Sequence, residues 1–470
     1  MVYRVDTWAD EEFGDADLGD VRRTERLKHL ATVLMAQPSA SIPAATEDPP
    51  TMKAAYRFFA NDHVQPQAML ASHVQSTQRR MQAVPLVLAV QDTTYLDWTD
   101  HPATKDLGPL AAPSDQGLLA HTTLAITPER VPLGVLAQQV WARDPDVRRH
   151  HDHKQRPTCD KESQKWLTSL DAVIGARSAC PDSHFISVGD READVYDLFL
   201  LARPVGVDLL VRAAQDRKAD HPEKYLWATM ATAPVAASVD IHIGQRQGQS
   251  ARDATLTIRW KEVTLRPPTS RDKEKLANVT IWAVWAIEPN PPPGVEPIEW
   301  LLLTSVPITT TDEALSILAW YAARWGIEVW HKVLKSGCRI EDRQLETAAR
   351  LSRCLTLYSV IAWRILYATM LARAVPDAPC TVLLDADEWQ ALYCRIHRVA
   401  LAPAKPPSLR TAVRSLGQLG GFPGRKGDGE PGVTVMWRGF QRLMDLTEMY
   451  RIMHRQTPKK DRWISNKDSG

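Results

Sequence analysis

Three acidic residues in distant parts of the chain could together hold divalent metal ions. Asp92 and Asp190 each follow a short apolar run, and Glu328 lies within the segment 321–335, where polar and apolar residues are interspersed. Carboxylate oxygens are the ligands that Mg²⁺ prefers, and two ions about 4 Å apart can activate the attacking oxygen and stabilise the leaving oxygen at a phosphodiester. An aspartate directly after a strand is more often a turn former or a helix cap. The chemistry therefore requires a fold that brings all three carboxylates together.

A row of polar side chains surrounds Glu328. Its members recur at steps of three or four residues, which places them on one face of a helix: Tyr321, Arg324, Glu328, His331 or Lys332, and Lys335. The ordinary interpretation is a solvent-facing row with simple ion pairs. A tyrosine in line, with apolar surface supplied elsewhere by Trp320 and Trp325, instead favours one metal ligand flanked by cations that contact phosphates.

Other polar groups offer competing sites. Three carboxylates near the proposed ligands could take their place: Asp97, Glu192 and Asp194. A second set could bind zinc: His150, His151, Asp152, His153 and Cys159. Its spacing fits no standard structural zinc site, so a solvated loop that faces DNA is the preferred interpretation. The sequence contains no recognisable nucleophile constellation and no glycine-rich phosphate loop.

The elements that must position the carboxylates follow an α/β pattern. They are predicted as a strand at 86–90, a hairpin at 118–127 and 131–141, a helix at 161–177, a strand at 185–188, a helix at 194–202 and a strand at 208–212. This is the order of a ribonuclease-H-like core, although many α/β folds share parts of it. Asp92 and Asp190 are expected at the ends of buried strands, where side chains are held rigidly.

The rest of the chain is predicted to flank or interrupt this core. Alternating residues within about 236–300 predict a β insertion, and Thr310 with Glu313 forms the capping box of a long helix through Lys335. We expect an N-terminal helical region at 1–70, a catalytic core at 71–368 and a C-terminal helical region at 369–470. Asp20 is the predicted cap of a basic helix that could contact a DNA backbone, or that could be a plain surface helix.

Bulk composition sets limits on the class of protein. The 57 basic and 56 acidic residues give a net charge of +1, so nucleic-acid binding must rely on local basic patches. No apolar run approaches the roughly 18 residues of a membrane span, and the acidic N-terminus carries no apolar signal core. Six scattered cysteines favour a reducing compartment. We therefore expect a cytoplasmic, nucleoid-associated protein without a membrane partner.

Several motifs together resemble a known family. The pattern Tyr-x2-Arg-x3-Glu-x6-Lys at 321–335, GDREAD at 189–194 and QDTT at 91–94 resemble the signatures of bacterial insertion-sequence DDE transposases of the IS4 group, in its Tn5-like branch. Further blocks resemble this family in the same order, from about residue 12 to about residue 445: LGDVRRTERL, AAYRFFAN, KESQKW, PPPGVEPIEWLLLTS, LGGF and WRGF. The combination is far more specific than any single motif.

The resemblance implies a role for individual residues. Asp92, Asp190 and Glu328 would be the metal ligands, and Trp300 would stack on a flipped base, a role that an aromatic platform can serve. The remaining matches would contact DNA: Tyr321, Arg324, Lys335, Arg212, Arg22, Arg23 and Arg26, with His331 and Lys332 as further candidates. Gly326 departs from the bulkier residue usual in the family and costs about 1 kcal/mol within a helix.

The resemblance also implies cut-and-paste transposition. Two Mg²⁺ ions, replaceable by Mn²⁺, would serve nicking, hairpin formation, hairpin opening and joining of the 3′-ends to target DNA. The partners would be double-stranded DNA, as inverted-repeat ends and target, and a second copy of the chain. Dimer contacts are expected at 419–422 and 437–440. A catalytically dead DNA-binding relic or repressor, and a nuclease without strand transfer, remain alternatives.

Overall fold

A computed structural model describes residues 7–112, 114–144, 162–202, 206–243 and 251–454. The candidate zinc ligands between 150 and 159 lie outside these ranges. Five cysteines within the described residues are free thiols. The described chain forms a mixed α/β protein with helical regions at both ends, as the sequence predicts.

Five helices build the N-terminal region: α1 (Trp8–Phe13), α2 (Val21–Ala36), α3 (Ile42–Thr46), α4 (Pro49–Phe59) and α5 (Pro66–Met81). Asp20 caps α2 through its side chain, as predicted. Val21, in the first turn of α2, is 73% exposed, whereas Leu27, Leu30 and Leu34 are fully buried. Helix α4 begins at Pro49, since proline is well suited to a first helical position.

One mixed sheet forms the centre of the molecule. Its strands are β1 (Leu86–Asp97), β2 (Gly108–Pro109), β3 (Gln116–Ile126), β4 (Pro132–Trp141), β5 (His184–Gly189), β6 (Asp208–Arg212), β7 (Ala237–Ile243), β8 (Arg252–Leu265), β9 (Val279–Ile287) and β10 (Glu299–Thr304). The hairpin β3–β4 pairs antiparallel with β1, and β1, β5 and β6 run parallel. This order is consistent with the predicted ribonuclease-H-like core.

The predicted β insertion extends this same sheet. Strand β10 pairs with both β6 and β9, and β8 and β7 continue the sheet outward. The insertion is therefore hydrogen-bonded to the core sheet through β10 and β6, and β10 carries Trp300 to the edge of the core. Helices α6 (Gln164–Ala179), α7 (Tyr196–Ala202) and α8 (Leu226–Ala231) belong to the opposite side from the Glu328 helix.

The helix expected to run from Thr310 through Lys335 changes geometry twice. Helix α9 (Thr311–Ala323) has the predicted capping box, Arg324 links it to α10 (Trp325–Lys332), and a π-helical turn follows over Val333–Gly337. The prediction of one regular helix is therefore wrong at its end. Gly337 packs where an added Cβ would lie 2.8 Å from the Trp437 ring, so the late turn adapts to a neighbouring helix.

Four α-helices follow in the rest of the described residues: α11 (Ala348–Ala374), α12 (Ala386–His397), α13 (Leu409–Leu419) and α14 (Val433–His454). Helix α11 is long and apolar enough to cross a membrane, which the sequence reading overlooked. However, 83% of its apolar window is buried inside the protein, as in the central helix of a folded core. Indole Nε1 of Trp363 in this helix donates to the Pro132 carbonyl, which ties α11 to the sheet.

Candidate active site

Neighbouring parallel strands place Asp92 and Asp190 side by side. Val90 on β1 is in register with Val188 on β5, and each aspartate follows its valine by two residues. Because side chains alternate along a strand, the aspartates point to the same face as these buried valines. The sheet spacing of about 4.8 Å then sets how far apart the two backbones lie. The strands thus bring together two carboxylates that are 98 positions apart in sequence (190 − 92).

The position of Asp92 differs from the prediction in one respect. Asp190 follows β5 directly, as expected, whereas Asp92 lies inside β1, which continues to Asp97. The parallel pairing with β5 ends at Val90, and the second half of β1 pairs with β3 alone. Asp92 is therefore at the end of the parallel ladder, although it is not at the end of its strand.

Helix α10 brings Glu328 to the same face. Ile327 and Trp330 of this helix are fully buried in the apolar cluster that also contains Val90 and Val188. Arg324 contacts two of the three acidic residues: its Nη2 donates to Glu328 Oε1 at 2.5 Å, and its Nη1 lies 3.9 Å from Asp92 Oδ2. One guanidinium thus bridges acidic groups from strand β1 and helix α10.

The pKa of the Asp92 carboxyl is raised by burial and by the two neighbouring acidic residues. It rises from 3.8 to about 6, mainly because burial disfavours the carboxylate, and because Asp190 and Glu328 add negative charge. Arg324 and the backbone N–H of Thr93 oppose this rise. A carboxylate is costly to ionise in such a place unless more positive charge arrives.

These donors suit a hard divalent cation. The three side chains offer oxygen atoms only, and their mutual repulsion would be relieved by a bound cation. Within the described residues, no three acidic, histidine or cysteine side chains already surround one ion position. Arg324 holds Glu328 in this arrangement, so the carboxylates are gathered but not closed around a common centre.

The competing carboxylates have structural partners. Asp194 is buried and accepts from Arg217 at 2.6 Å and from the backbone N–H groups of Ala214 and Gln215. The Glu192 carboxylate binds the Lys165 ammonium at 2.9 Å. Asp97 closes a turn by accepting from the backbone N–H and the hydroxyl of Thr99. Asp194 in particular is already fully engaged.

Asp194→Ala is expected to destabilise the fold rather than to remove a metal ligand. It would leave Arg217, whose side chain is 4% exposed, as an unpaired buried cation, which costs about 3–5 kcal/mol. Urea unfolding measures this loss, and cleavage per folded molecule should stay close to that of the parent. Parental stability combined with lost cleavage would instead make Asp194 a ligand.

Tyr321 and Trp300 pack against each other beside the carboxylates. Their ring centroids are 5.3 Å apart at an interplanar angle of 69°, and Trp300 is half-buried while Tyr321 is 5% exposed. Burial raises the pKa of the Tyr321 hydroxyl, against the effect of neighbouring Arg324 and Arg212. The ring of Trp300 thus has a firm support on one side.

Glu299 is a supporting residue that the sequence reading missed. Its Oε1 accepts from the indole N–H groups of Trp227 at 3.0 Å and Trp285 at 2.9 Å, while its carbonyl accepts from Arg212 at 2.7 Å. Trp300 is the next residue along β10. No local pattern reveals this cluster, because its members come from four separate segments.

The remaining members of the row, His331, Lys332 and Lys335, differ in their burial and in their contacts. His331 is buried, with Nδ1 at 3.7 Å from Asp92 Oδ2, and burial lowers its pKa to about 3. The prediction that it contacts DNA does not agree with this position, because its ring lies beneath the carboxylates. Lys332 is exposed. The Lys335 ammonium donates to the Tyr95 carbonyl and pairs with Glu341 at 3.1 Å, next to strand β1.

The three arginines of the basic N-terminal helix α2 differ in their exposure to solvent. Arg22 and Arg26 are exposed, and Arg22 pairs with the capping residue Asp20 at 2.7 Å. Arg23 donates to the Leu18 carbonyl and is half-buried. The helix therefore offers Arg22 and Arg26 to a partner more directly than Arg23.

Comparison with known families identifies both ends of the chain. Residues 5–64 match the family model of transposase DNA-binding modules, and residues 360–457 match the Tn5 transposase dimerisation domain. With the α/β core between them, these matches support a transposase that binds DNA and dimerises. They confirm the resemblance found in the sequence and indicate the Tn5-like branch of the IS4 family.

Proposed function

We propose that this transposase works by cut and paste, with Asp92, Asp190 and Glu328 as its catalytic residues. The observation that supports the proposal is that Asp92 on β1 neighbours Asp190, which follows the paired strand β5, and shares the Arg324 guanidinium with Glu328 on α10. The raised pKa of Asp92 supports their proximity, since Asp190 and Glu328 contribute to it. Each step would be an in-line displacement at phosphorus, so one site can serve all of them.

The three carboxylates would hold two Mg²⁺ ions, for which Mn²⁺ could substitute. When bound, the ions supply activation of the attacking oxygen and stabilisation of the leaving oxygen. The chain's own contribution is to orient the DNA. Arg324, beside Glu328, and Lys335, which contacts Tyr95 of β1, can each pair with a phosphate near the cut.

Hairpin formation requires the DNA end to bend sharply, and a base must leave the stack. Trp300 stands half-buried at the edge of the site, supported by Tyr321 on one side and anchored through Glu299 in the strand. It would receive the extruded base on its free face. Arg212, next to Glu299, would hold the adjacent backbone.

The flanking regions would bring ends and partner together. We assign 1–70 to end recognition through Arg22, Arg23 and Arg26, 71–368 to catalysis, and 369–470 to dimerisation. In the last region, dimer contacts were expected at 419–422 and 437–440, but Leu419, Trp437 and Phe440 are buried inside the chain, so such contacts would fall to the exposed Gly421 and Arg438 and the half-buried Phe422. The protein would act on inverted-repeat ends and target DNA in a bacterial cytoplasm, associated with the nucleoid.

DNA flanking the reading frame supplies the substrate that tests this function. Incubated with Mg²⁺, the full chain should nick fragments that carry the inverted repeats, form hairpins and join the ends to a target plasmid. Binding without nicking would indicate a catalytically dead DNA-binding protein. Nicking without joining would indicate a nuclease that lacks strand transfer.

The Mg²⁺ requirement should depend on pH because of Asp92. Its pKa of about 6 means that the carboxylate form dominates above pH 6 and the protonated form below it. A proton and a metal ion compete for this group, so the Mg²⁺ concentration for half-maximal nicking should rise about fivefold between pH 6 and pH 5 and approach about tenfold per pH unit below that. Nicking rates measured across Mg²⁺ concentrations at each pH give this dependence. A requirement that stays constant down to pH 5 would contradict it.

A further inference from the structure

We propose that Arg324 exchanges partners during assembly of the active site, and so couples metal binding to DNA binding. In this arrangement its guanidinium is the cation placed among the ligands, at 2.5 Å from Glu328 and 3.9 Å from Asp92. The inference rests on the proposed function, because it assumes that these carboxylates hold the metal ions. It concerns how the site is loaded rather than which reaction it performs.

Burial makes this ion pair consequential. The Arg324 side chain is 13% exposed and that of Asp92 20% exposed, so solvent screens their charges less than it would at the surface. The pKa of Arg324 is raised by Tyr321, Glu328 and Asp92 in spite of burial, which keeps the guanidinium charged. Arg324 therefore offsets part of the repulsion among the carboxylates.

Other cations of the row face different partners. The Lys335 ammonium contacts the Tyr95 carbonyl and Glu341, and the Arg212 guanidinium contacts the Glu299 carbonyl. Neutralisation of the ligands by this row thus falls mainly to Arg324.

Metal ions and Arg324 cannot use Glu328 in the same way at the same time. Divalent ions on the three carboxylates would reverse the local charge and repel the guanidinium. A DNA phosphate is then its natural partner, since arginine binds phosphate with the same forked geometry that it uses for carboxylate. Metal ions free Arg324 for DNA, and DNA holds Arg324 away from Glu328. By linkage, each ligand strengthens binding of the other.

The direction in which Mn²⁺ affinity changes when Arg324 is replaced distinguishes this exchange from a purely structural role. Mn²⁺ binding to the full chain without DNA, followed by the electron paramagnetic resonance signal of free Mn²⁺, should become about three- to tenfold tighter in Arg324→Gln, because a competitor for Glu328 is gone. A structural role predicts weaker binding in the same variant. Unchanged or weaker binding would therefore overturn the proposal.

A matched control removes another arginine of an i,i+4 ion pair. Arg350 contacts Glu346 at 2.8 Å near the start of α11, and Arg350→Gln should leave Mn²⁺ affinity unchanged. If Arg324→Gln fails to fold, Arg324→Lys serves in its place. Lysine keeps the positive charge but lacks the two-pronged guanidinium, so it should tighten Mn²⁺ binding by a smaller factor.

A random-sequence DNA duplex should tighten Mn²⁺ binding more in the parent protein than in Arg324→Gln. Equal tightening in the two proteins would count against the exchange.

Two further variants distinguish the inference from the proposed function. Asp92→Asn and Glu328→Gln should each weaken Mn²⁺ binding. If neither does, the metal site itself is misassigned and both proposals fail. If both do while Arg324→Gln binds no more tightly than the parent, the metal site stands and only the exchange is wrong.

Discussion

Replacing Asp92, Asp190 or Glu328 by alanine is expected to lower Mg²⁺-dependent nicking by at least about a thousandfold. Loss of a single preorganised electrostatic group at a reacting centre already lowers the rate about 10²–10³-fold. Each of these carboxylates would help to hold the metal ions that act on the attacking and leaving oxygens, so its loss should cost more. Binding of the DNA ends should change little, because it relies on the N-terminal region and on phosphate contacts. Gel-shift and nicking assays on the same DNA separate the two effects.

Nearby exposed carboxylates provide controls for this series. Asp97→Ala and Glu192→Ala remove acidic groups from the same surroundings, and each should change nicking by less than about tenfold, within the range of indirect effects. If one of them instead abolishes nicking while a variant of the proposed trio still cuts, the ligand set is wrong at that residue. Unfolding curves of all five variants exclude loss of structure as the cause.

Trp300→Ala is expected to affect hairpin formation far more than the first nick. Stacking of a base on an aromatic ring contributes about 1–3 kcal/mol, which corresponds to about a 5- to 150-fold slower hairpin step. The first nick needs no extruded base, so its rate should fall by less than about threefold. Single-turnover assays with end-labelled DNA resolve the nicked and hairpin species.

A conservative control sharpens this test. Trp300→Phe retains an aromatic face, and should recover most of the hairpin rate. Its ring can still pack on Tyr321, as the tryptophan does at 5.3 Å. Equal slowing of both steps in the alanine variant, with no recovery by phenylalanine, would assign Trp300 to the core rather than to the DNA.

Local sequence patterns correctly predicted those helix starts and strands that are determined by residues close together in the sequence. The cap at Asp20, the capping box at Thr310 and the apolar strand leading to Asp190 are all short-range features, and all appear in the structure. Strand β1 was predicted to end before Asp92 because its apolar run stops at Val90. Its outer half is held by pairing with β3, which no local pattern shows.

Features that depend on contacts between distant segments could not be predicted. The prediction of the row around Glu328 assumes a regular helix, but a π-helical turn follows at Val333–Gly337, where Gly337 packs closely on Trp437, and Lys335 reaches Tyr95 instead of continuing the row. His331 shares the helical spacing of the row, although its position beneath Asp92 becomes visible only when the helix is docked on the sheet.

The most direct measurement is the structure of the full chain bound to its DNA ends and Mn²⁺, with the ions located by anomalous scattering. We expect two Mn²⁺ peaks, about 4 Å apart, within about 2.0–2.4 Å of oxygen atoms from Asp92, Asp190 and Glu328. Arg324 should then contact a phosphate. Peaks that lie elsewhere, or a Glu328 carboxylate that stays more than about 10 Å from the two aspartates, would contradict the assignment of this active site.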